Sequence, residues 1–364
     1  MTAPLRVGLI GAGWMGHVHA QSWAANAPRG EITAVFDTSD DRARALVDAR
    51  TNGRARVYKD LGGLLADAEI DAVDICLPHH LHADAIVRAA SAGKHALCEK
   101  PICLTFEELR AIRRAVDDAG ITFMTAHNNL FALPLIEARR MLGDGTLGRV
   151  MHIRSNEVGR NSGMRQRRSP VAHLPAAEAT YAWRLDPVRM GGAELLDTGY
   201  HGAYRLLGLA ASASGDFEDR PIEVVAMLGN YYMEELRPGE DTASVLVRFA
   251  SGVQGVLVTS WAFGDVAPAW QFEVAGHLGS LAGNVTRLVH AAHGWSSPAE
   301  RVWQTAHSET YTREVTHFLD VLREDAAPLA SWQHAARTLQ LIRAAYRSAE
   351  ERRIIPIPED PATL

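Results

Sequence analysis

The 364-residue sequence has no excess of basic residues, few cysteines and no long apolar run. Its formal net charge is −6, whereas a nucleic-acid-binding surface normally leaves a basic excess, so we expect no nucleic-acid partner. No apolar run approaches the roughly 18 residues of a membrane span. The opening stretch lacks the charged region, apolar segment and cleavage site of a signal peptide, so we expect no membrane partner either.

The three cysteines cannot all pair with one another. Cys76 and Cys98 lie in apolar, strand-like runs, and Cys103 is the third. This usage is typical of reduced thiols, and it favours a cytoplasmic protein.

The first 125 or so residues alternate between short apolar runs and helical patterns. The runs are nearly continuous in apolar residues, which indicates strands buried on both faces. Strand–helix alternation predicts an α/β fold with an N-terminal Rossmann domain, a doubly wound parallel sheet, over residues 1–126. The predicted strands cover residues 6–10, 32–37, 72–78, 95–99 and 121–126.

The pattern changes after residue 127. Residues 221–285 read as successive strands with short turns, which predicts a C-terminal α+β domain (127–364) with a large, mostly antiparallel open sheet. Helices are predicted at 312–325 and 332–351, the last packing back toward the N-terminal domain. One sheet face carries Val245, Val247 and Phe249 (the three alternate along one strand), and the other is expected to pair with another subunit in a homodimer or homotetramer.

A glycine-rich loop follows the first strand. Gly11, Gly13 and Gly16 form a Gly-x-Gly-x-x-Gly motif between an apolar strand and a helical pattern, the context in which such a loop holds a dinucleotide pyrophosphate. Asp37 ends the second strand, 21 residues after Gly16, at the spacing expected for a carboxylate on the ribose 2′-hydroxyl. A carboxylate there repels a 2′-phosphate, so the motif favours NAD over NADP.

The stretch CLPHHLHADAIVRAASAGKHALCEKP, residues 76–101, is more specific than the loop. It resembles the oxidoreductase family of glucose–fructose oxidoreductase, inositol 2-dehydrogenase and MocA in its Pro-x-x-x-His turn, its Gly-Lys-His and its Glu-Lys-Pro. The Gly-Gly…Asp-x-x-x-His segment at 191–201 resembles the same family, and the likeness spans nearly the whole chain. In two departures, His79 stands where the family usually has Asn, and Leu130 stands where many members carry Arg.

The loop motif and the resemblance together imply a set of cofactor contacts. These are Gly11, Gly13, Trp14, Met15, Gly16, Asp37, Leu77, Pro78, His79, His82, Glu99, Lys100 and Asn128.

Oxidation of a secondary alcohol requires a hydride acceptor, a base and a group that stabilises the developing alkoxide. Lys100 follows a strand at the carboxyl edge of the parallel sheet, where it can hydrogen-bond the reacting oxygen. Asp197 and His201 are four residues apart on a predicted helix within 191–209, so both leave one face. There His201 can take a proton and Asp197 can orient the substrate. By resemblance, these three residues match the catalytic trio of the family.

Substrate contacts are predicted on both sides of the Arg-rich segment 159–183. Lys100, Asn128, Trp183, Arg184, Asp197 and His201 are the candidates, with Phe131, Tyr200 and Tyr204 nearby. Aromatic faces beside hydrogen-bonding groups suit a sugar ring or cyclitol. The Arg-rich segment is a lid or inter-subunit arm, or a plain solvated loop.

Structural and metal-binding alternatives stand beside this interpretation. In the structural alternative, Lys100 is only a solvated strand end. Asp197 and His201 are then a structural pair on the surface of a helix, with no catalytic role. In the metal-binding alternative, the ligands are Glu194, Asp197 and His201, or the histidines at 79, 80 and 82. Neither set has convincing zinc spacing, so we expect no metal.

The sequence therefore predicts an NAD-dependent dehydrogenase or reductase of a sugar, sugar derivative or inositol. Two alternatives remain: an NAD-binding sensor, and a glycoside-cleaving enzyme that uses tightly bound NAD for transient oxidation. The residues do not distinguish the direction of the reaction, since the same groups catalyse both.

Overall fold

The computed structural model describes residues 3–159, 182–214, 219–263, 268–324 and 326–363. The described residues form two compact units. The first unit holds residues 3–128, 182–191 and 308–332, and the second holds the rest. None of the helices in these ranges is long and apolar enough to cross a membrane.

The described elements are numbered in chain order. The strands are β1 (Leu5–Ile10), β2 (Gly30–Phe36), β3 (Arg56–Tyr58), β4 (Ala72–Ile75), β5 (His95–Glu99), β6 (Phe123–Ala126), β7 (Val150–Val158), β8 (Pro221–Gly229), β9 (Thr242–Phe249), β10 (Gln254–Ser260), β11 (Phe272–Gly276), β12 (Gly279–Gly283), β13 (Arg287–Ala292), β14 (Ala299–Val302) and β15 (Ile355–Pro356). The helices are α1 (Trp14–Ala25), α2 (Asp40–Thr51), α3 (Leu61–Ala66), α4 (His82–Ser91), α5 (Phe106–Ala119), α6 (Leu133–Gly143), α7 (Pro187–Met190), α8 (Glu194–Asp197), α9 (Gly199–Ser214), α10 (Glu309–Arg323) and α11 (Trp332–Glu351).

The first unit is built on a six-stranded sheet of order β3-β2-β1-β4-β5-β6. All five strand pairs are parallel, as the nearly continuous apolar runs predict. The Rossmann architecture predicted from the sequence is thereby confirmed. Strand β3 was not predicted, because its three residues are too few to show a hydrophobic pattern.

Helix ends in the first unit follow local sequence signals. Thr105 and Glu108 form a capping box, in which each side chain accepts the other residue's main-chain N–H at 3.1 Å. Gly120 ends α5 with φ +61°, a left-handed conformation that glycine adopts without strain. Helix α10 also belongs to this unit, where Phe318 packs edge-on against Trp23 of α1 with ring centroids 6.3 Å apart.

The second unit contains a nine-stranded sheet of order β14-β13-β12-β11-β7-β10-β9-β8-β15. All pairs are antiparallel except β7 with β10, which confirms the mostly antiparallel sheet. Helix α9 packs on its inner face, where a Cβ added to Gly202 would lie 2.6 Å from Leu257 Cδ1. Val245, Val247 and Phe249 are buried on that face, as alternation along β9 predicts. The sheet continues through β13 and β14, beyond the predicted strands.

Candidate active site

The glycine-rich loop connects β1 to α1. Gly11 has φ +101°, and a Cβ there would lie 2.4 Å from the Cys76 carbonyl oxygen. A Cβ on Gly16 would lie 2.1 Å from the Gly11 oxygen, whereas one on Gly13 would meet nothing within 4 Å. The protein's own packing therefore requires Gly11 and Gly16. Gly13 instead leaves open space at the N-terminus of α1, where free N–H groups favour an anion.

Asp37 follows β2 and is held beside this loop. Its Oδ2 accepts the Ala12 N–H at 2.8 Å. Its Oδ1 accepts the Ser39 N–H at 2.8 Å and Arg42 Nη2 at 2.5 Å. These bonds fix the carboxylate, and they leave one of its roughly four lone-pair positions for a ligand hydroxyl.

The loop and Asp37 line one cavity of about 280 Å³ in the first unit. Three groups of residues close it: the loop itself, the segment around Asp37, and the segment after β4. Two residues from the 3-10 turn before α7 complete the wall. The full lining is Gly11, Gly13, Trp14, Met15, Phe36, Asp37, Thr38, Arg42, Cys76, Leu77, Pro78, Leu81, Trp183 and Arg184.

Trp183 and Arg184 were predicted as substrate contacts, but the structure places them on this cavity. The Arg184 guanidinium carbon lies 4.7 Å from the centre of the Trp183 ring, within cation–π range. The rest of the Arg-rich segment, residues 160–181, lies outside the described residues, so the lid, arm and loop interpretations stay as they were.

The remaining predicted cofactor residues do not line the cavity. Within the first unit, His79 Nδ1–H donates to the Met190 carbonyl at 3.2 Å, and its ring packs against Trp183 with centroids 4.6 Å apart. His82 lies between the carbonyls of Pro101 (2.6 Å) and Leu77 (2.7 Å), and burial lowers its pKa. These two rings tie the segment after β4 to its neighbours. Gly16, Glu99, Lys100 and Asn128 also lie outside the lining.

Lys100 follows the last residue of β5. The Lys100 residue is only 7% exposed, which rules out the solvated strand end. The Glu99 Oε2 accepts the Lys100 N–H at 3.1 Å, and the Lys100–Pro101 peptide is cis. A buried ammonium costs free energy unless it is compensated, so burial of this cation indicates a specific role.

Asn128 and the residues after it follow β6. Asn128 is buried and donates to Thr310 Oγ1 at 3.0 Å within the first unit. In the second unit, Leu130 and Phe131 are buried, and Leu130 approaches Gly208 of α9. Leu130 therefore serves the core.

The predicted helix over 191–209 is wrong in detail. Gly191 ends α7 with φ +78°, α8 holds Asp197 as its last residue, and a new helix, α9, begins at Gly199. At the break, the His201 N–H donates to the Thr198 oxygen, three residues back, and the Thr198 hydroxyl donates to Glu194 Oε1 at 2.7 Å. This i→i−3 bond replaces a bond of the regular ladder that the i,i+4 argument assumed.

The second unit surrounds His201 with supporting groups. Asp197 is 1% exposed, and His201 is half-buried. His201 Nδ1 lies 2.8 Å from Tyr204 Oη, which accepts the Asn129 N–H at 3.1 Å. Tyr204, predicted as a pocket residue, is buried and fixes the imidazole instead. An Asp197–His201 pair on an exposed helix surface is thus excluded, because the carboxylate is buried.

Glu194 lies one turn before Asp197 and is fully buried. Its Oε1 accepts the hydroxyls of Thr198 and Thr259, and burial raises its pKa well above the ordinary value. Among the described residues, the group of metal-capable side chains with ligand atoms within 4.8 Å of one another is His19, Asp74 and Cys76. Neither set of ligands considered from the sequence forms such a group.

Two family models match successive parts of the chain. Residues 5–127 match the family model of an oxidoreductase family with an NAD-binding Rossmann fold. Residues 135–282 match the model of the GFO/IDH/MocA C-terminal domain.

Individual relatives are similar over most of their length. Inositol 2-dehydrogenase of Rhizobium meliloti is 28% identical over 97% of this chain and 99% of its own. The 1,5-anhydro-D-fructose reductase of Ensifer adhaerens is 31% identical over 76% and 75%. A solved levoglucosan dehydrogenase, in complex with NADH and levoglucosan, is 23% identical with TM-score 0.84 over 98% of this chain and all of that one, a likeness of fold.

Proposed function

Because this chain belongs to the GFO/IDH/MocA oxidoreductase family, we propose that it transfers a hydride between NAD and a secondary alcohol of a sugar, sugar derivative or inositol. The family and its relatives make it an NAD-binding oxidoreductase related to sugar and polyol dehydrogenases. The observation that carries the proposal is the buried Lys100 ammonium, in the unit that also holds a cavity lined by the phosphate loop and Asp37.

The residues around the cavity suit NAD. Gly13 leaves room for the diphosphate, the N-terminus of α1 favours its charge, and Asp37 keeps one lone-pair position for a ribose hydroxyl. Arg184 and Trp183 add a cation and an aromatic face to the same wall. When bound, NAD supplies the hydride acceptor.

Three side chains carry the proposed proton chemistry. Lys100 donates a hydrogen bond to the reacting oxygen and stabilises the developing alkoxide. His201, held by Tyr204, takes the hydroxyl proton, and Asp197 orients the substrate. In the reverse direction the same groups return the proton to the carbonyl.

A substrate panel tests the proposal. We would follow NADH absorbance with inositols, aldoses, anhydrosugars and glycosides, each with NAD and with NADP. Turnover with NAD supports the dehydrogenase and identifies the substrate class. Glycoside cleavage without net NADH would instead establish transient oxidation, and NAD binding without any turnover would favour a sensor.

Asp37 is proposed to select NAD. Replacing Asp37 with Ser removes a charged acceptor for the ribose and the repulsion of a 2′-phosphate, and it releases Arg42. We expect the ratio of kcat/KM for NAD to that for NADP to fall by about 10- to 100-fold, the worth of one hydrogen bond to a charged group. Steady-state kinetics with both cofactors measures this ratio. Asp40→Ser is the matched control, because Asp40 is an exposed acid nearby that pairs with Lys59 and Arg44. An unchanged ratio in Asp37→Ser would contradict the assignment.

We propose that the protein is a homo-oligomer that pairs through the outer face of its large sheet. Leu246 is 54% exposed there, opposite Val225 and Val256 on the neighbouring strands, and Met227 is 79% exposed. Ion pairs flank these apolar side chains, such as Arg248 with Glu223. A contiguous apolar area of this kind is typical of a subunit interface.

Sedimentation measures the oligomer. The double variant Met227→Glu/Leu246→Glu is expected to lower the mass of the assembly while the melting temperature of the subunit stays close to the parent value. A parent protein that sediments as a monomer at all concentrations would contradict the proposal.

The three cysteines are buried and form no disulfide, which supports the further proposal that the protein works in the reducing cytoplasm.

A further inference from the structure

The first unit contains a buried cluster of polar side chains that the proposed function leaves unexplained. His19 comes from α1, Asp74 from β4, Glu99 from the end of β5 and Glu314 from α10. Each of these residues is at most 8% exposed. Burying one imidazole and three carboxyl groups is costly unless they compensate one another, so the arrangement requires a reason.

His19 bridges two carboxylates. Its Nδ1 lies 2.9 and 3.0 Å from the two oxygens of Asp74, and its Nε2 lies 3.1 Å from Glu99 Oε1. A carboxylate accepts hydrogen bonds but does not donate them, so the ring serves both partners only when both nitrogens carry protons. Burial acts most strongly and would lower the pKa of His19, but the electrostatic interactions and hydrogen bonds with Asp74 and Cys76 together hold that pKa well above the ordinary value. His19 is therefore an imidazolium.

Asp74 is the fixed end of this bridge. It lies in the middle of the parallel sheet, where β4 pairs with β1 and β5. Trp23 Nε1 donates to its Oδ2 at 2.7 Å, in addition to the His19 bonds. A carboxylate anchored inside a sheet by His19, Trp23 and the Cys76 thiol cannot move without breaking these hydrogen bonds.

Glu99 is the end that reaches Lys100. Its Oε1 accepts His19 Nε2, and its Oε2 accepts the Lys100 N–H at 3.1 Å. Burial would raise the pKa of Glu99, but the hydrogen bond and charge of His19 lower it below its ordinary value. The charged carboxylate thus depends on the imidazolium, and the main chain at Lys100 depends on the carboxylate.

We propose that His19 is a positioning residue for Lys100, which it holds in place through Glu99. This inference rests on the proposed function, in which the Lys100 ammonium stabilises the reacting oxygen. The path runs from the sheet interior through Asp74, His19 and Glu99 to the Lys100 main chain, so loss of the bridge misplaces the ammonium without touching the phosphate loop.

The other members of the cluster agree with this role. Glu314 has no hydrogen-bond partner for either carboxylate oxygen among the described residues, and burial raises its pKa well above the ordinary value. It is therefore neutral, which leaves one imidazolium between two carboxylates. Cys76 stays a thiol, because burial raises its pKa, and both nitrogens of His19 are engaged. The bridge thus forms without a metal ion.

The first experiment compares His19→Gln with Trp23→Phe. Gln cannot bridge two carboxylates, whereas Trp23→Phe removes a buried hydrogen bond to Asp74 and leaves the His19–Glu99 contact in place. We expect His19→Gln to lower kcat by about 100-fold, with KM for NAD changed less than about threefold, since small misplacement of a catalytic group costs about that much. We expect Trp23→Phe to lower the melting temperature with little change in kcat. Equal kcat in the two variants would overturn the proposal.

A second measurement needs no substrate. The chain has three lysines, at positions 59, 94 and 100, so lysine labelled with ¹³C at Cε gives three signals. In His19→Gln we expect the Lys100 signal to shift and the other two to stay. Glu99→Gln places an amide N–H against the Lys100 N–H, so we expect it to shift the same signal. This variant takes the place of His19→Gln in the test if His19→Gln does not fold. An unmoved Lys100 signal in the folded variant would overturn the inference.

The double variant tests whether His19 acts through Glu99. If it does, His19→Gln/Glu99→Gln lowers kcat no further than the worse single variant, whereas additive losses would contradict the path. Lys100→Ala separates the two hypotheses. Full activity in Lys100→Ala would refute the proposed role of Lys100, while the lysine signals would still decide whether His19 positions it.

Discussion

Lys100→Ala is expected to lower kcat for hydride transfer by about 10³-fold. The variant removes the hydrogen bond to the developing alkoxide, and the loss of one such donor in a buried site costs about 10²- to 10³-fold, with proton-transfer effects of similar size. NAD affinity is expected to stay close to the parent value, because the phosphate loop and Asp37 are untouched. Steady-state kinetics and a fluorescence titration with NAD measure the two quantities.

Lys94→Ala is the matched control for this variant. Lys94 is as buried as Lys100, but its ammonium donates to the carbonyls of Asp67 and Ile70 at 2.7 Å. These two hydrogen bonds give Lys94 a structural role. We expect Lys94→Ala to lower the melting temperature and to leave kcat nearly unchanged. Lys100→Ala with a parental kcat, or Lys94→Ala with an equal loss, would contradict the catalytic assignment.

The parallel sheet could be predicted because its strands carry strong, local signals. Continuous apolar runs located β1, β2, β4, β5 and β6, and helical patterns indicated helices between them. Strand β3 was missed because three residues form no pattern. Strand β13 was missed because its apolar and polar residues do not alternate, and only Leu288 of its six residues is buried. The strength of the prediction therefore followed the degree of burial.

The break at Thr198 shows where sequence periodicity fails. Residues 191–209 have helical apolar spacing, yet Gly191 ends one helix and Thr198 interrupts the next. At each break a glycine packs closely against a distant residue. A Cβ on Gly191 would lie 2.5 Å from Leu104 Cδ2, and one on Gly199 would lie 2.8 Å from Thr259 Oγ1. Tertiary contacts of this kind leave no local trace in the sequence.

The His19 bridge was missed, although the sequence contains a signal for it. An acid inside an otherwise apolar strand, such as Asp74 in the run at 72–78, must find a buried partner. The partner is a histidine three residues after the last glycine of the phosphate loop. The sequence alone cannot pair these two, since 55 residues separate them. In the same way, Trp183 joins the cavity from a segment more than 100 residues beyond the Rossmann strands that hold the loop and Asp37.

Gly13→Ala is expected to weaken NAD binding by about 100-fold and to leave the melting temperature unchanged. Gly13 has φ −77° and ψ −165°, an extended conformation that alanine also adopts, and its Cβ would meet no atom of the protein within 4 Å. The new methyl group therefore costs the folded protein little. It occupies the space into which the diphosphate must come for close contact with the loop N–H groups.

Gly11→Ala is the opposite case and the control. At φ +101°, with the Cβ 2.4 Å from the Cys76 oxygen, alanine strains the loop and the segment after β4 whether or not a ligand is present. We expect a lower melting temperature from this variant. Calorimetric titration with NAD measures the affinity of both variants, and thermal melts measure their stability. Together they distinguish a glycine that leaves room for the ligand from one that the protein's own packing requires. Parental NAD affinity in Gly13→Ala would mean that the diphosphate does not approach this loop, and the three glycines would then serve only a tight turn.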